Sequence, residues 1–407
     1  MAVTRAALLS VDQHAATVAG LLAPTPAERR PLVECFGLAL AGELAARVAL
    51  PSFDNSAMDG YAVRSAEVAS ASAERPVELP VAEDIPAGRT DVPPLAPGTA
   101  HRIMTGAPLP VGADAVVQVE LTDAGTSAVR LFAAARPGQN VRYAGEDVTA
   151  GSVVLPAGAT LDAGQIGVAA AAGHGTLAVH RPPRVLVLST GSELVSPSAG
   201  VELAPGQIYE SNGPMLAAAV RAAGAEPELA HFVSDDVDAF HAALAPRAAA
   251  VDLVLTSGGV SAGAYEVVKD ALAAHGVSFV KVAMNPGMPQ GAGRFKGTPV
   301  VTLPGNPVSA LVSFEVFVRP ALRAAAGHAV VHRPRVIARL TEAADSPPEK
   351  RQFRRGRLDP DGTVSLVGGS GSHLLGSLAA SNCLVELAEG ISHVDAGTPV
   401  PVLVLAP

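Results

Sequence analysis

The stretch Val185-Leu186-Val187-Leu188-Ser189-Thr190-Gly191-Ser192-Glu193 decides the fold. Four consecutive apolar residues read as a short buried strand, and Ser-Thr-Gly ends it in a turn. After a loop, Asn212-Gly213-Pro214 opens a helical stretch that closes at Gly224. A second apolar run over 228–233 leads to a helical pattern over 237–250. The run 253–255 then ends in Thr256-Ser257-Gly258-Gly259. A helix over about 266–275 leads to 278–282, and the run 300–303 feeds Pro304-Gly305-Asn306-Pro307 and a last helix over 308–325. Strands alternating with helices predict a central three-layer α/β domain with a mostly parallel sheet, spanning 181–328.

Outward from this unit the punctuation changes. From about residue 50 to 141, Pro and Gly recur too often for long helices, which predicts a β-rich region. Before it, Leu32, Cys35, Phe36, Leu40 and Leu44 fall at helical spacing and predict an amphipathic helix over 27–46. Residues 151–179 read as a Gly/Ala-rich connector with a β-like opening at 152–155. We place 1–180 together as linker plus β-rich region. From Pro334 onward, alternating runs at 335–340, 363–367, 383–387 and 400–405 predict a small β-barrel, within a C-terminal domain 329–407.

Composition narrows the function. The 407 residues are 16% charged and 49% hydrophobic, yet no apolar run approaches the roughly 20 residues of a membrane span. The first 13 residues lack a signal-peptide core, so a cytoplasmic, unprocessed chain is expected. Cys35 and Cys383 are too few for a disulfide framework or a zinc site and are expected to be buried. A net charge of −9, with no basic cluster outside 351–357, and 3% aromatics without Trp argue against nucleic acid as a partner.

In an open α/β sheet the ligand sits at the carboxyl ends of the strands. Three such ends here are rich in Gly, Ser and Thr: Thr190-Gly191-Ser192, Ser257-Gly258-Gly259-Val260-Ser261 and Gly305-Asn306-Pro307-Val308-Ser309. One such turn is ordinarily only a turn. Three on one edge, with helices opening after the last two, form a set of backbone N–H groups suited to a phosphorylated ligand. Glu193, Asp235, Asp236 and Glu266 fall at the same edge. Carboxylates beside phosphate need a cation between them, and Mg2+ with its oxygen ligands fits. Asp236 alone reads better as a helix cap.

The chain resembles the molybdopterin molybdenumtransferase family, which includes the E domain of gephyrin. The resemblance runs through residues 51–62 (PSFDNSAMDGYA), 102–107 (RIMTGA), 145–147 (GED), 189–194 (STGSEL), 257–261 (SGGVS) and 303–310 (LPGNPVSA). It continues in the tail through Phe353-Arg354-Arg355-Gly356 and Gly371-Ser372-His373. The resemblance implies an elongated homodimer whose cleft lies between one subunit's central domain and its partner's N-terminal region. It implies insertion of molybdate into adenylylated molybdopterin, with phosphoanhydride cleavage and release of AMP. By the same resemblance Asp59, Glu193, Asp235 and Glu266 are the catalytic acids, while acid type and strand-end position mark Glu193 and Glu266 as the metal ligands. Thr105, Asp147, Thr190, Ser257, Gly258, Gly259, Ser261, Lys281, Pro304, Gly305, Asn306, Pro307, Arg355 and Ser372 would bind substrate. The upstream adenylyltransferase and recipient molybdoenzymes become candidate protein partners.

One departure stands out. Where many family members carry several lysines, this chain has Asn285 and Met288, and only Lys281 remains. The alternative reading is a paralogue that binds pterin, or acts as a scaffold, without turnover.

Overall fold

The computed structural model describes residues 8–232, 236–258 and 267–405. The strand expected at residue 185 runs Arg184–Thr190 inside a six-stranded sheet. Glu226–Phe232 and Leu253–Ser257 flank it in parallel, and Thr298–Leu303 continues the parallel order. Pro289–Phe295 runs antiparallel to Thr298–Leu303, and Val277–Lys281 closes the far edge. The sheet is mostly parallel, with one reversed strand at 289–295 that sequence analysis did not assign.

Successive residues of a strand point to opposite faces, and here both faces are covered. Val185, Val187, Leu253, Leu255, Val301 and Leu303 pack with residues of the helix Asn212–Ala222 and of the helical run 307–325. Leu186, Leu188, Val254 and Val300 pack on the other side with Phe240, Leu244, Val268 and Leu272 from Val237–Ala248 and Val267–Ala273. Two buried faces are the reason these strands read as unbroken apolar runs. Asp236 caps Val237–Ala248, its Oδ1 accepting from the Ala239 N–H at 2.8 Å. The last helical run is α-helical over Pro307–Ser313, turns π-helical over Phe314–Val318 and resumes as Arg319–Ala325.

The N-terminal region is β-rich as expected, with a five-stranded sheet in the order Ala115–Gln118, Gly60–Val63, Ala100–Ile103, Val77–Ile85, Ala128–Leu131. The amphipathic helix expected over 27–46 is absent. Instead Ala27–Pro31 is a strand paired antiparallel with Thr176–His180, followed by a 3-10 turn at Leu32–Glu34 and a two-residue strand at Leu44–Ala45. Pro31 lacks the N–H a helix interior needs, and Gly37 has a φ of +78° that breaks the run. The helical spacing did not mark one face, since Cys35 is buried beside a Phe36 that is 72% exposed. The connector over 151–179 carries a strand at Val153–Leu155 and a helix at Ala163–Ala171, which Asp162 caps through the Gly164 N–H at 2.8 Å.

The C-terminal strands close a barrel. Arg351–Leu358 pairs with Thr363–Leu366 and with Cys383–Leu387. Arg335–Leu340 and Pro399–Val404 complete the ring. Ala338, Leu340, Val364, Val385 and Val402 fill its interior. The basic cluster at 351–357 is thus one strand of a barrel. Both cysteines are buried and unpaired, and burial pushes the Cys383 thiol up to about 11.

A helix that sequence analysis did not assign, Val11–Ala19, ties these parts together. Ser10 and Gln13 cap each other, with the Gln13 N–H donating to Ser10 Oγ at 3.1 Å and the Ser10 N–H to Gln13 Oε1 at 3.0 Å. Its His14 ring meets Phe317 of the π turn edge-on at 4.7 Å between centroids. Asp12 accepts two bonds from Arg351 of the barrel, at 2.9 and 3.1 Å. Among the described residues no helix is long and apolar enough to cross a membrane.

Candidate functional site

A cleft of about 370 Å³ opens at the carboxyl ends of the central strands. Thr190, Glu193, Ser257, Gly258, Gly305, Asn306 and Pro307 line it, so the three Gly-rich turns do converge on one space. Their approach is close. Gly258 has a φ of +95°, and a Cβ there would lie 3.2 Å from the Thr190 carbonyl oxygen, so a side chain at this turn would be strained and crowded. Its N–H donates to the Leu303 carbonyl at 3.1 Å, which joins the second turn to the third.

The residues that fasten these turns carry no motif of their own. Asn212 donates its amide to Ser257 Oγ at 2.7 Å and to the Gly305 carbonyl at 2.6 Å, while its Oδ1 is buried with no partner. Glu210 accepts the Ser189 hydroxyl at 3.0 Å and the Gly213 N–H at 2.7 Å on one carboxylate oxygen. An Asn at a helix start reads in sequence as a cap. Here Ser211 occupies the cap position, with no side-chain cap bond, and Asn212 sends its amide across to the neighbouring strands. That crossing depends on which strands are neighbours, and only the sheet order supplies it.

The barrel contributes a second wall. His373 and Leu375 line the cleft, Asn306 donates to Ser372 Oγ at 2.8 Å, and the Val308 N–H donates to the Ser372 carbonyl at 3.1 Å. Arg355 is only 4% exposed and turns its guanidinium onto carbonyls of the same loop. Burial, and then the neighbouring Arg354, lower its pKa below the usual arginine value.

The remaining expected residues lie elsewhere or outside the described chain. Pro304 is buried behind the third turn. Lys281 is exposed at the end of its strand, where its carbonyl accepts the Leu9 N–H at 2.9 Å, and it does not line the cleft. Asp59, Thr105 and Asp147 are exposed in the N-terminal region and contribute nothing to the cleft within one chain. Asp59 Oδ1 accepts the Thr105 N–H at 2.7 Å and its hydroxyl at 2.8 Å, and these bonds hold the carboxyl below the usual carboxylate range. Asp235, Gly259, Ser261 and Glu266 lie outside the described residues.

For a divalent cation the described cleft offers mainly oxygen donors, namely the exposed Glu193 carboxylate, Glu210 with one oxygen unbonded and hydroxyls, beside the single His373 imidazole. That donor set fits Mg2+, which favours carboxylates and water. Among the described residues no three acids or imidazoles cluster as a preformed cage.

A parallel-sheet domain with its cleft at the strand ends, set between a β-rich region and a barrel that supplies one wall, defines a multidomain α/β ligand-binding protein. Three family models match in order: the MoeA N-terminal region (domain I and II) over 9–173, a probable molybdopterin binding domain over 186–324, and the MoeA C-terminal region (domain IV) over 337–405. Molybdopterin molybdenumtransferase 2 of Mycobacterium tuberculosis is 54% identical over 401 residues, covering 97% of this chain and 98% of the relative. The Bacillus subtilis molybdopterin molybdenumtransferase is 35% identical over 376 residues, covering 90% and 87%. A crystal structure of the molybdopterin biosynthesis MoeA protein of Pyrococcus horikoshii superposes with a TM-score of 0.84 at 28% identity, covering 98% of this chain and all of the other. The chain belongs to the molybdopterin molybdenumtransferase family, enzymes of molybdenum cofactor biosynthesis.

Proposed function

We propose that this protein inserts molybdate into adenylylated molybdopterin, cleaving the phosphoanhydride and releasing AMP. The observation that carries the reading is the cleft itself, where three Gly-rich strand ends and the Glu193 carboxylate face one space. The turns present backbone N–H groups to phosphate, and Asn212 keeps two of them in register through Ser257 and Gly305. Glu193, with Glu210 beside it, would hold Mg2+, which when bound neutralises phosphate charge and polarises the bond to be broken. The described residues bind and orient. Glu210 fixes the Ser189 hydroxyl, and Ser372 anchors the third turn through Asn306.

The protein acts in the cytoplasm as a homodimer. In that dimer Asp59, Thr105 and Asp147 reach a cleft from the N-terminal region of a second copy, which accords with their absence from the cleft lining within one chain. Asp235 and Glu266 act as further catalytic acids, and Gly259, Ser261 and Lys281 bind substrate. The upstream adenylyltransferase and recipient molybdoenzymes are its partners in transfer. The test is AMP release from adenylylated molybdopterin by the purified protein, given molybdate and Mg2+, with tungstate and metal-free controls. Molybdate-dependent release with a molybdenum-loaded pterin is expected. Tight pterin binding with no release would instead mark a scaffold.

A further inference from the structure

The cleft has an apolar flank that neither its turns nor its acids account for. Beyond the first turn, Leu194–Val195 pairs in parallel with Ile208–Tyr209, and the residues between them form a surface excursion. The Ile208 N–H donates to the Glu193 carbonyl and the Glu210 N–H to the Val195 carbonyl, both at 2.9 Å. This short ladder sets Leu194, Ile208 and Tyr209 between the two acids, and all three line the cleft.

These side chains do not build a core. Ile208 is 54% and Tyr209 46% exposed, and neither joins a buried apolar cluster among the described residues. Leaving them in water forgoes the gain that burial would bring, which is how a binding surface differs from a packed one. Tyr209 is the one Phe, Tyr or Trp side chain in the described lining, in a chain with 3% aromatics and no Trp. Its hydroxyl donates to the Val201 carbonyl across the excursion at 2.9 Å. That bond uses the phenol's one proton and ties down the far end of the ring, so the side chain offers the cleft its π surface. The turns and the acids can hold phosphate and a cation, but they present nothing to a flat uncharged ring. A fixed aromatic face with aliphatic neighbours does, because every heterocyclic base has a π face of its own.

We propose that Tyr209, backed by Ile208 and Leu194, is a specificity-determining residue: a stacking platform for a planar nitrogen heterocycle joined to the phosphate that the turns hold. The proposal rests on the cleft being the substrate site. Two parts of adenylylated molybdopterin carry that chemistry, the adenine and the pterin, on opposite sides of the phosphoanhydride.

The experiment measures dissociation constants of the full-length wild type, Tyr209→Phe and Tyr209→Ala for three phosphate-bearing probes: AMP, molybdopterin, and ribose 5-phosphate, which has no aromatic ring. Stacking predicts that Tyr209→Ala loses about tenfold in affinity for at least one heterocyclic probe and binds ribose 5-phosphate as before, while Tyr209→Phe stays within about threefold of the wild type. A loss for AMP assigns the adenine to the platform, and a loss for molybdopterin assigns the pterin. In turnover Tyr209→Ala should raise KM with kcat little changed, because a ring stacked away from the reacting bond is held alike in the ground and transition states. A loss shared equally by ribose 5-phosphate would mean that the substitution moves the turns, and it would overturn the proposal. So would heterocycles that bind the wild type no more tightly than ribose 5-phosphate, or whose affinity Tyr209→Ala leaves unchanged. A shift in sedimentation of Tyr209→Ala with heterocycle affinity intact would overturn it too, in favour of a contact between copies of the chain. If the wild type releases no AMP from adenylylated molybdopterin, the functional reading fails, while the binding comparison still decides whether Tyr209 is a platform.

Discussion

The two walls of the cleft are held in different ways. On the central side, parallel strands fix the turns by their register, and Asn212, Glu210 and the Gly258 N–H each add a bond between neighbours. On the barrel side, one loop hangs from the Arg355 guanidinium and from Ser372, which Asn306 and the Val308 N–H hold. Distributed bonds let a wall lose one member and keep its shape. A wall held at few points loses more with each one. Behind both walls runs a shared backing in which the helical run 307–325 meets the N-terminal helix and the segment entering the barrel.

Breaking that backing should produce the largest effect. Glu315 is 5% exposed and accepts Arg333 through two nitrogens, at 2.9 and 3.1 Å, with Arg319 at 3.8 Å. Burial already lowers Arg319 to about 10. Glu315→Ala leaves two guanidinium groups without their acid and is expected to cost about 3–5 kcal/mol in urea unfolding. A loss below about 1 kcal/mol would mean that the walls do not share this backing.

Acid should come next. His14 and His328 are buried, at 1% and 5% exposure, and burial lowers each from 6.5 to about 4. Each folded imidazole stays neutral where the unfolded one has taken a proton, so the unfolded chain binds more protons between pH 6.5 and about 4. Stability is full above that window and falls as pH drops through it, by up to about 3 kcal/mol per imidazole. Urea midpoints measured across the window, with His14→Leu for comparison, check this. A variant with the same slope as the wild type would remove His14 from the account.

Within the walls, Glu193→Gln removes a cleft carboxylate while keeping the size of the side chain that lies over Gly191. AMP release should fall about 100-fold, with the far-ultraviolet spectrum and melting temperature unchanged. Asn212→Ala should cost about tenfold in kcat/KM, since it removes two neutral bonds from a wall that keeps others. A loss as large as that of Arg355→Ala would erase the contrast between the walls. The smallest effect is expected from Asp12→Asn, which weakens a pair whose acid is 76% exposed and should cost under about 1 kcal/mol.

How much of this was legible in the sequence differs by region, and each difference has a physical cause. The central strands were readable because burial on two faces leaves an unbroken apolar run, as at 185–188 and 253–255. The reversed strand at 289–295 was not, because Pro289, Gly291 and Gly293 interrupt any apolar pattern. A Cβ at Gly293 would sit 2.2 Å from the Gly276 carbonyl oxygen, so the neighbouring backbone selects glycine there. The helix expected over 27–46 failed because a helical spacing of apolar residues does not require that they face one side, and Pro31 with strand pairing to Thr176–His180 decided otherwise. The capping box at Ser10 and Gln13 was in the sequence and unread.

The sequence by itself determined the fold class, the three Gly-rich turns and Glu193 at their edge, because strand ends and turns are written in local composition. Only the tertiary structure decided what fastens those turns. Asn212 reaches Ser257 and Gly305, Arg355 reaches Gly369 and Gly371, and Asn306 reaches Ser372. The longest of these bonds joins positions 93 residues apart in the chain. Local propensity carries no record of such partners. They become neighbours only when the sheet takes its order and the barrel closes beside it.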